Sequence, residues 1–178
     1  MIKRTLFKSI ALALGCAALT MTVISAPAGP IKAHAGTTFV LSPVAGHPDQ
    51  LTHAIDGVVR VSSMGNSTFH GDVLILNVPP APGQPYLLSG TCRFTSADGA
   101  TTLDAQVEGI GTPDPANASF LNIHYEVRFT GGTGDMANAH GHGEIDGFAM
   151  FTSQTTGKAT WLLQGNVSTR NHGHEHED

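Results

Sequence analysis

The chain has 178 residues, with nine Lys and Arg against fourteen Asp and Glu and a formal net charge of −5. Four of the basic residues precede residue 36, whereas all fourteen acidic residues follow it. Nucleic acids and anionic membranes bind proteins through clusters of Lys and Arg. The charge balance of this chain therefore argues against both as partners.

The N-terminal segment has the three-part plan of a secretory signal peptide. Residues 1–8 carry three positive charges, residues 10–24 form an apolar run, and small residues and prolines follow. The apolar run is short for a membrane span, which needs about 20 residues. Cys16 lies inside this run rather than at its end, which disfavours lipid attachment. A retained N-terminal anchor helix is the alternative to export.

We expect cleavage after Ala28, or as late as Ala35, and a mature protein in the periplasm or outside the cell. The remaining length suits one domain. The predicted organisation is a signal peptide over residues 1–28, a β-barrel domain over 36–170 and a flexible tail rich in His and acidic residues over 171–178. Only Cys92 remains after cleavage, so the mature chain has no intramolecular disulfide.

The rest of the chain has no long helical pattern, and short alternating runs are separated by turn residues. The pair Asp98-Gly99 between two such runs is a strong hairpin signal. Eight candidate strands favour closure into a barrel, because closure removes exposed edges. We predict an all-β fold, a single eight-stranded antiparallel barrel, with strands near residues 37–42, 53–63, 68–78, 85–96, 100–110, 118–130, 140–153 and 157–169.

Alternation assigns one face of each strand to the barrel interior. In residues 121–129 every odd position is apolar or aromatic, and every even position is polar. Cys92 lies on such a face, which favours a small buried hydrophobe over a catalytic thiol. The interior is either a packed core or a partly open apolar cavity that binds a small apolar ligand. Its predicted lining residues are Tyr86, Leu88, Cys92, Tyr125, Val127, Phe129, Trp161 and Leu163.

A glycine-rich segment over residues 131–143 follows the alternating strand 125–129. Glycines stand at 131, 132, 134, 141 and 143, with Ala137 and Ala139 between them. The segment resembles the glycine-rich hairpin of the allene oxide cyclase-like barrels, which include plant dirigent proteins and small exported bacterial proteins. The family's Arg-Phe pair after the turn is replaced here by Asp135-Met136.

This resemblance covers residues 50–169 and implies an eight-stranded antiparallel barrel with an apolar interior. Plant members of the family act on oxylipins or steer phenoxy-radical coupling. The glycine pattern concerns geometry, and no catalytic set of the family can be matched onto this chain. The resemblance therefore assigns no catalytic residue.

Histidines are concentrated at two places. His140 and His142 follow the glycine turn and would point the same way from a strand. His172, His174 and His176 alternate with Gly and Glu at the end of the chain. Neutral imidazole is a common ligand of zinc, copper and nickel, so both places are candidate metal sites. The alternative for both is a set of solvated side chains that bind metal only adventitiously.

Three functions remain open from the sequence. The leading one is a non-enzymatic exported barrel that binds a small apolar ligand or a surface partner, with self-association through a barrel wall also open. The second is a cyclase- or isomerase-like enzyme acting inside the barrel, for which Tyr86, Tyr125 and Cys92 are the polar candidates. The third is divalent-metal binding through the histidines.

Overall fold

The protein forms a closed, eight-stranded antiparallel β-barrel. The computed structural model describes residues 29–82 and 84–169, in which each strand pairs with the next and β8 pairs with β1. The predicted all-β fold and barrel closure are confirmed, and the described residues contain a single short 3₁₀ helix, Gly134–Met136. The strands are β1 Gly29–Val44, β2 His47–Val61, β3 Gly65–Ile75, β4 Tyr86–Ser96, β5 Thr102–Asp114, β6 Asn117–Thr133, β7 His140–Phe151 and β8 Thr156–Ser168.

The first strand is longer than predicted, since β1 begins at Gly29 rather than at residue 37. Ile31, Ala33 and Ala35 point inward and alternate with exposed residues, as in the rest of the strand. Ala35 lies opposite Trp161 on β8, where a small side chain leaves room for the indole. The alternation of Ile31, Ala33 and Ala35 is visible in the sequence, but the small residues Ala33 and Ala35 also match the cleavage region of a signal peptide.

The two ends of the barrel differ in how they are filled. At the end that carries the 3₁₀ helix, Ile31, Phe94, Leu103 and Leu163 are fully buried, and Met136 of that helix is also buried in the core. At the other end the connection from β3 to β4 crosses the barrel rim, and the Val78 N–H donates to the Asp49 carbonyl at 2.8 Å. Near this end Leu41, Leu121 and His53 keep 8–9% of their surface exposed.

An aromatic cluster occupies the middle of the interior. The Phe69 ring lies 4.9 Å from Trp161 and 5.2 Å from Phe94, in edge-on arrangements. Such pairs stabilise a core by about 0.5–1.5 kcal/mol beyond the apolar area that they bury. No helix among the described residues is long and apolar enough to span a membrane.

Candidate functional site

The predicted lining residues lie on the inner face of the barrel, but few of them border free space. Seven of the eight are buried, and Tyr86 is half-buried at the rim, where it packs against the core. Cys92, Tyr125 and Trp161 line the interior void. The remaining residues do not border that void and fill the interior or its rim: Tyr86, Leu88, Val127, Phe129 and Leu163.

The interior void has a volume of about 30 Å³. Ligand pockets for drug-sized molecules occupy about 300–1,000 Å³, whereas about 10–15 Å³ is enough for one water molecule. The interior is therefore a packed core with a water-sized void. This lies between the packed core and the partly open apolar cavity that the sequence left open. A larger apolar ligand would require the lining side chains to move.

His53 on β2 is a polar residue of the void that was missing from the sequence-based set. Its side chain is 9% exposed, and neither ring nitrogen has a hydrogen-bond partner among the described residues. The ring packs edge-on against Phe39, with centroids 4.8 Å apart. Burial lowers the pKa of His53 from 6.5 to about 4, so the imidazole is neutral at pH 7. Its alternation with Ile55 and Val59 on the apolar face is the sequence signal that could have identified it.

The other polar groups of the void are also neutral. The Tyr125 hydroxyl is buried without a hydrogen-bond partner among the described residues, and burial raises its pKa. Burial, with a contribution from Asp104, raises the pKa of the Cys92 thiol to about 12. A thiol that stays protonated is a poor nucleophile. The void can therefore donate and accept hydrogen bonds, but it offers no activated nucleophile at neutral pH.

The predicted metal ligands divide between described and undescribed residues. His140 and His142 are exposed on β7, and His140 Nδ1 lies 3.3 Å from the Asn138 carbonyl oxygen. The described part of the chain contains no group of three or more His, Cys, Asp or Glu side chains placed to hold a metal ion. The tail histidines His172, His174 and His176 lie outside the described residues.

A first apolar surface on the outer wall, here named the leucine face, spans β3 to β5. Leu87 lies opposite Ile110 on β5, and the Leu76 N–H donates to the Leu87 carbonyl at 2.9 Å. The side chains are 37–46% exposed, which is unusual for neighbouring large aliphatic residues. The face consists of Leu74, Leu76, Leu87 and Ile110.

A second apolar surface, the phenylalanine face, spans β6 to β8. The Phe120 and Phe148 rings lie 6.2 Å apart, and Phe120 lies opposite Met150. Leu162 on β8 is 40% exposed and lies opposite Asp146, diagonally across from Phe148. The face consists of Phe120, Phe148, Met150 and Leu162.

Charged side chains border both apolar faces. Glu108 stands two residues before Ile110 on the outer side of β5, and it begins a row with Glu126 and Glu144 on the neighbouring strands. Lys158 on β8 lies directly opposite Met150. The leucine face therefore has an acidic border, whereas the phenylalanine face has both Lys158 and Asp146 beside it, with Asp146 opposite Leu162.

Comparisons with known proteins concern the fold. No protein-family model and no curated protein matches the chain. The structure titled as that of the pterocarpan synthase dirigent protein GePTS1 is similar over 92% of this chain and 100% of that chain, with 12% sequence identity and a TM-score of 0.49. The closed eight-stranded barrel fits the resemblance to dirigent and allene oxide cyclase-like barrels. The similarity assigns no site residue in this chain.

Proposed function

We propose that this chain is an exported, non-enzymatic binding barrel whose outer wall is its binding surface, and that its two apolar faces join neighbouring copies of the chain. The observation that carries this proposal is a contrast between outside and inside. Seven large apolar side chains are exposed in two patches on the outer wall, with the half-buried Phe120 beside Phe148, while the interior void measures about 30 Å³. Contiguous exposed apolar surface marks interaction sites in soluble proteins.

A closed barrel has no free sheet edge, so contacts with a partner must use its wall or its ends. We infer that the leucine face of one copy contacts the phenylalanine face of the next, because Glu108 borders the first face and Lys158 lies beside the second. In this arrangement Glu108 of one copy approaches Lys158 of its neighbour. Contact between two leucine faces would instead bring the Glu108 side chains of both copies together.

Sedimentation equilibrium of the mature chain and single variants tests the two faces. We expect wild-type protein to self-associate, and Leu87→Lys and Phe148→Lys each to shift it toward monomer, because each introduces a charge into an apolar contact. Val58→Lys is the matched control, since Val58 is 72% exposed on β2, outside both faces. A wild-type chain that stays monomeric up to its solubility limit would refute the proposal.

Charge reversal tests the pairing of unlike faces. Glu108→Lys and Lys158→Glu should each weaken association several-fold, because each brings like charges together at the border of the contact. The double variant carrying both changes should recover much of the lost affinity. If the two effects simply add, the two charges do not meet across the interface.

A small apolar ligand inside the barrel is the second candidate. It is supported by the apolar lining of the void and by the unpartnered His53 and Tyr125, which could orient a polar group on a ligand. A cyclase- or isomerase-like reaction would use the same site. A co-purifying organic molecule whose retention falls in a Trp161→Ala variant would favour this candidate over the outer-wall proposal.

Export and metal binding rest on the sequence. Export is supported by the charged and apolar pattern of residues 1–28. Binding of zinc, copper or nickel is proposed only for the tail, where three histidines alternate with Gly and Glu. Deleting residues 171–178 should remove most metal uptake measured by calorimetry, and unchanged uptake would place the metal elsewhere.

A further inference from the structure

We propose that the interior void binds one water molecule, which bridges His53 to Tyr125 by hydrogen bonds. An equally small neutral molecule with one donor and one acceptor could take the same place. This inference is independent of the outer-wall proposal. It concerns the inner face of the barrel and requires no partner chain.

The topology places the two residues across the barrel from each other. His53 lies on β2 and Tyr125 on β6, and four strand-to-strand steps separate these strands in either direction around the closed barrel. Both side chains point inward and line the same void. A molecule held in the void therefore lies between these two strands, and the proposal is that it reaches both side chains.

Three buried polar atoms lack hydrogen-bond partners in the described part of the chain: Nδ1 and Nε2 of His53 and the hydroxyl oxygen of Tyr125. Most buried polar atoms in proteins are hydrogen-bonded to protein or to ordered water, because leaving them unpaired is costly. The void has room for about one water molecule, which needs two to four polar partners. The Thr37 hydroxyl also lines the void and donates to the Ala159 carbonyl at 3.4 Å.

The chemistry of the lining favours a neutral occupant. A neutral imidazole has one donor and one acceptor, and a phenol can donate or accept. Water can satisfy both residues at once, whereas an ion would face an otherwise apolar lining without a charged partner. Burial keeps the pKa of His53 low and those of Tyr125 and Cys92 high, so all three side chains are uncharged at pH 7.

Thermal unfolding of two tyrosine variants tests the bridge, because the chain has only two tyrosines. Tyr125→Phe should lower the melting temperature, since it removes a bridged hydroxyl and leaves His53 short of a partner. Tyr86→Phe is the control, since Tyr86 lies at the rim outside the void, and we expect a smaller change. An unchanged or raised melting temperature for Tyr125→Phe would show that the Tyr125 hydroxyl has no hydrogen-bond partner in the wild-type protein. That result would overturn the proposal.

Combining Tyr125→Phe with His53→Phe tests the coupling directly. If one molecule bridges both residues, the two losses should be non-additive, because the first change already breaks the bridge. Nuclear Overhauser effects in labelled wild-type protein supply a test that needs no variant. We expect signals from a long-lived water to the rings of His53 and Tyr125, and the absence of both signals would contradict the site.

Discussion

Gly109 on β5 lies directly opposite Tyr125 on β6, and the Tyr125 ring occupies the space that a side chain at residue 109 would need. A methyl group added to Gly109 would clash first with the His124 carbonyl oxygen, and it would come within 2.8 Å of both the Cα and the Cδ1 of Tyr125. The position of the Tyr125 hydroxyl in the void therefore depends on the absence of a side chain on the neighbouring strand.

Gly109→Ala should lower the free energy of unfolding by about 1–3 kcal/mol, the usual cost of overpacking a core. The control is Gly36→Ala, because a Cβ at this strand position would meet nothing within 4 Å. Chemical denaturation of both variants measures the difference. Equal stability of the two variants would show that β5 can shift away from Tyr125 without cost.

His53 should make the barrel sensitive to acid between pH 6.5 and about 4. The unfolded chain takes up a proton near pH 6.5, whereas the buried imidazole does so only near pH 4. Stability should therefore be full above pH 6.5 and fall as the pH drops to about 4. The interval between the two pKa values corresponds to on the order of 3 kcal/mol.

His53→Phe should flatten this part of the stability profile, because it removes the titrating group while keeping an apolar ring beside Phe39. The difference between wild type and variant isolates His53 from carboxylates that titrate in the same range. An identical pH dependence in both proteins would mean that His53 is solvated in the native state.

His70 should titrate above its ordinary value, in the opposite direction to His53. Its Nδ1 lies 2.7 Å from Asp56 Oδ1 and its Nε2 lies 3.2 Å from Asp72 Oδ2, and the hydrogen bond to Asp56 is the main cause of the raised pKa. The small stabilisation from this pair is present below pH 6.5 and is lost as the pH rises through the folded-state pKa. An NMR titration should show a larger fall in the His70 pKa for Asp56→Asn than for Asp72→Asn.

The first strand bears on the choice between the two cleavage sites. Cleavage after Ala28 would leave β1 whole, whereas cleavage after Ala35 would remove Ile31, Ala33 and Ala35 from the core. We therefore expect the exported protein to begin at Gly29, as measured by intact mass. A chain made to begin at residue 36 should unfold at lower temperature, and equal stability would remove the structural reason for the earlier site.

The fold could be predicted because alternation reports locally which side of a strand is buried. Residues 121–129 show this clearly, since β6 has the predicted inward and outward faces. The void could not be predicted, because its polar groups come from strands that are distant in sequence. His53 and Tyr125 line one void only because the barrel closes, and the Phe69 and Trp161 rings line the same void.

The two outer faces were also hidden in the sequence, for a different physical reason. On the outer side of its own strand Ile110 lies between Glu108 and Thr112, and Phe148 is followed only by Met150, so neither strand alone indicates a patch. Strand pairing places Ile110 beside Leu87, and it brings the Phe148 ring close to Phe120. The register of neighbouring strands, which could not be predicted from the sequence, therefore forms the surface on which the proposed function depends.

Native mass spectrometry of the untagged mature protein, over a range of concentrations, tests the outer-wall account most directly. The account predicts an assembly of bare chains that dissociates on dilution and is weakened by Phe148→Lys. A monomer at every concentration that retains a small organic molecule would contradict it and favour binding inside the barrel.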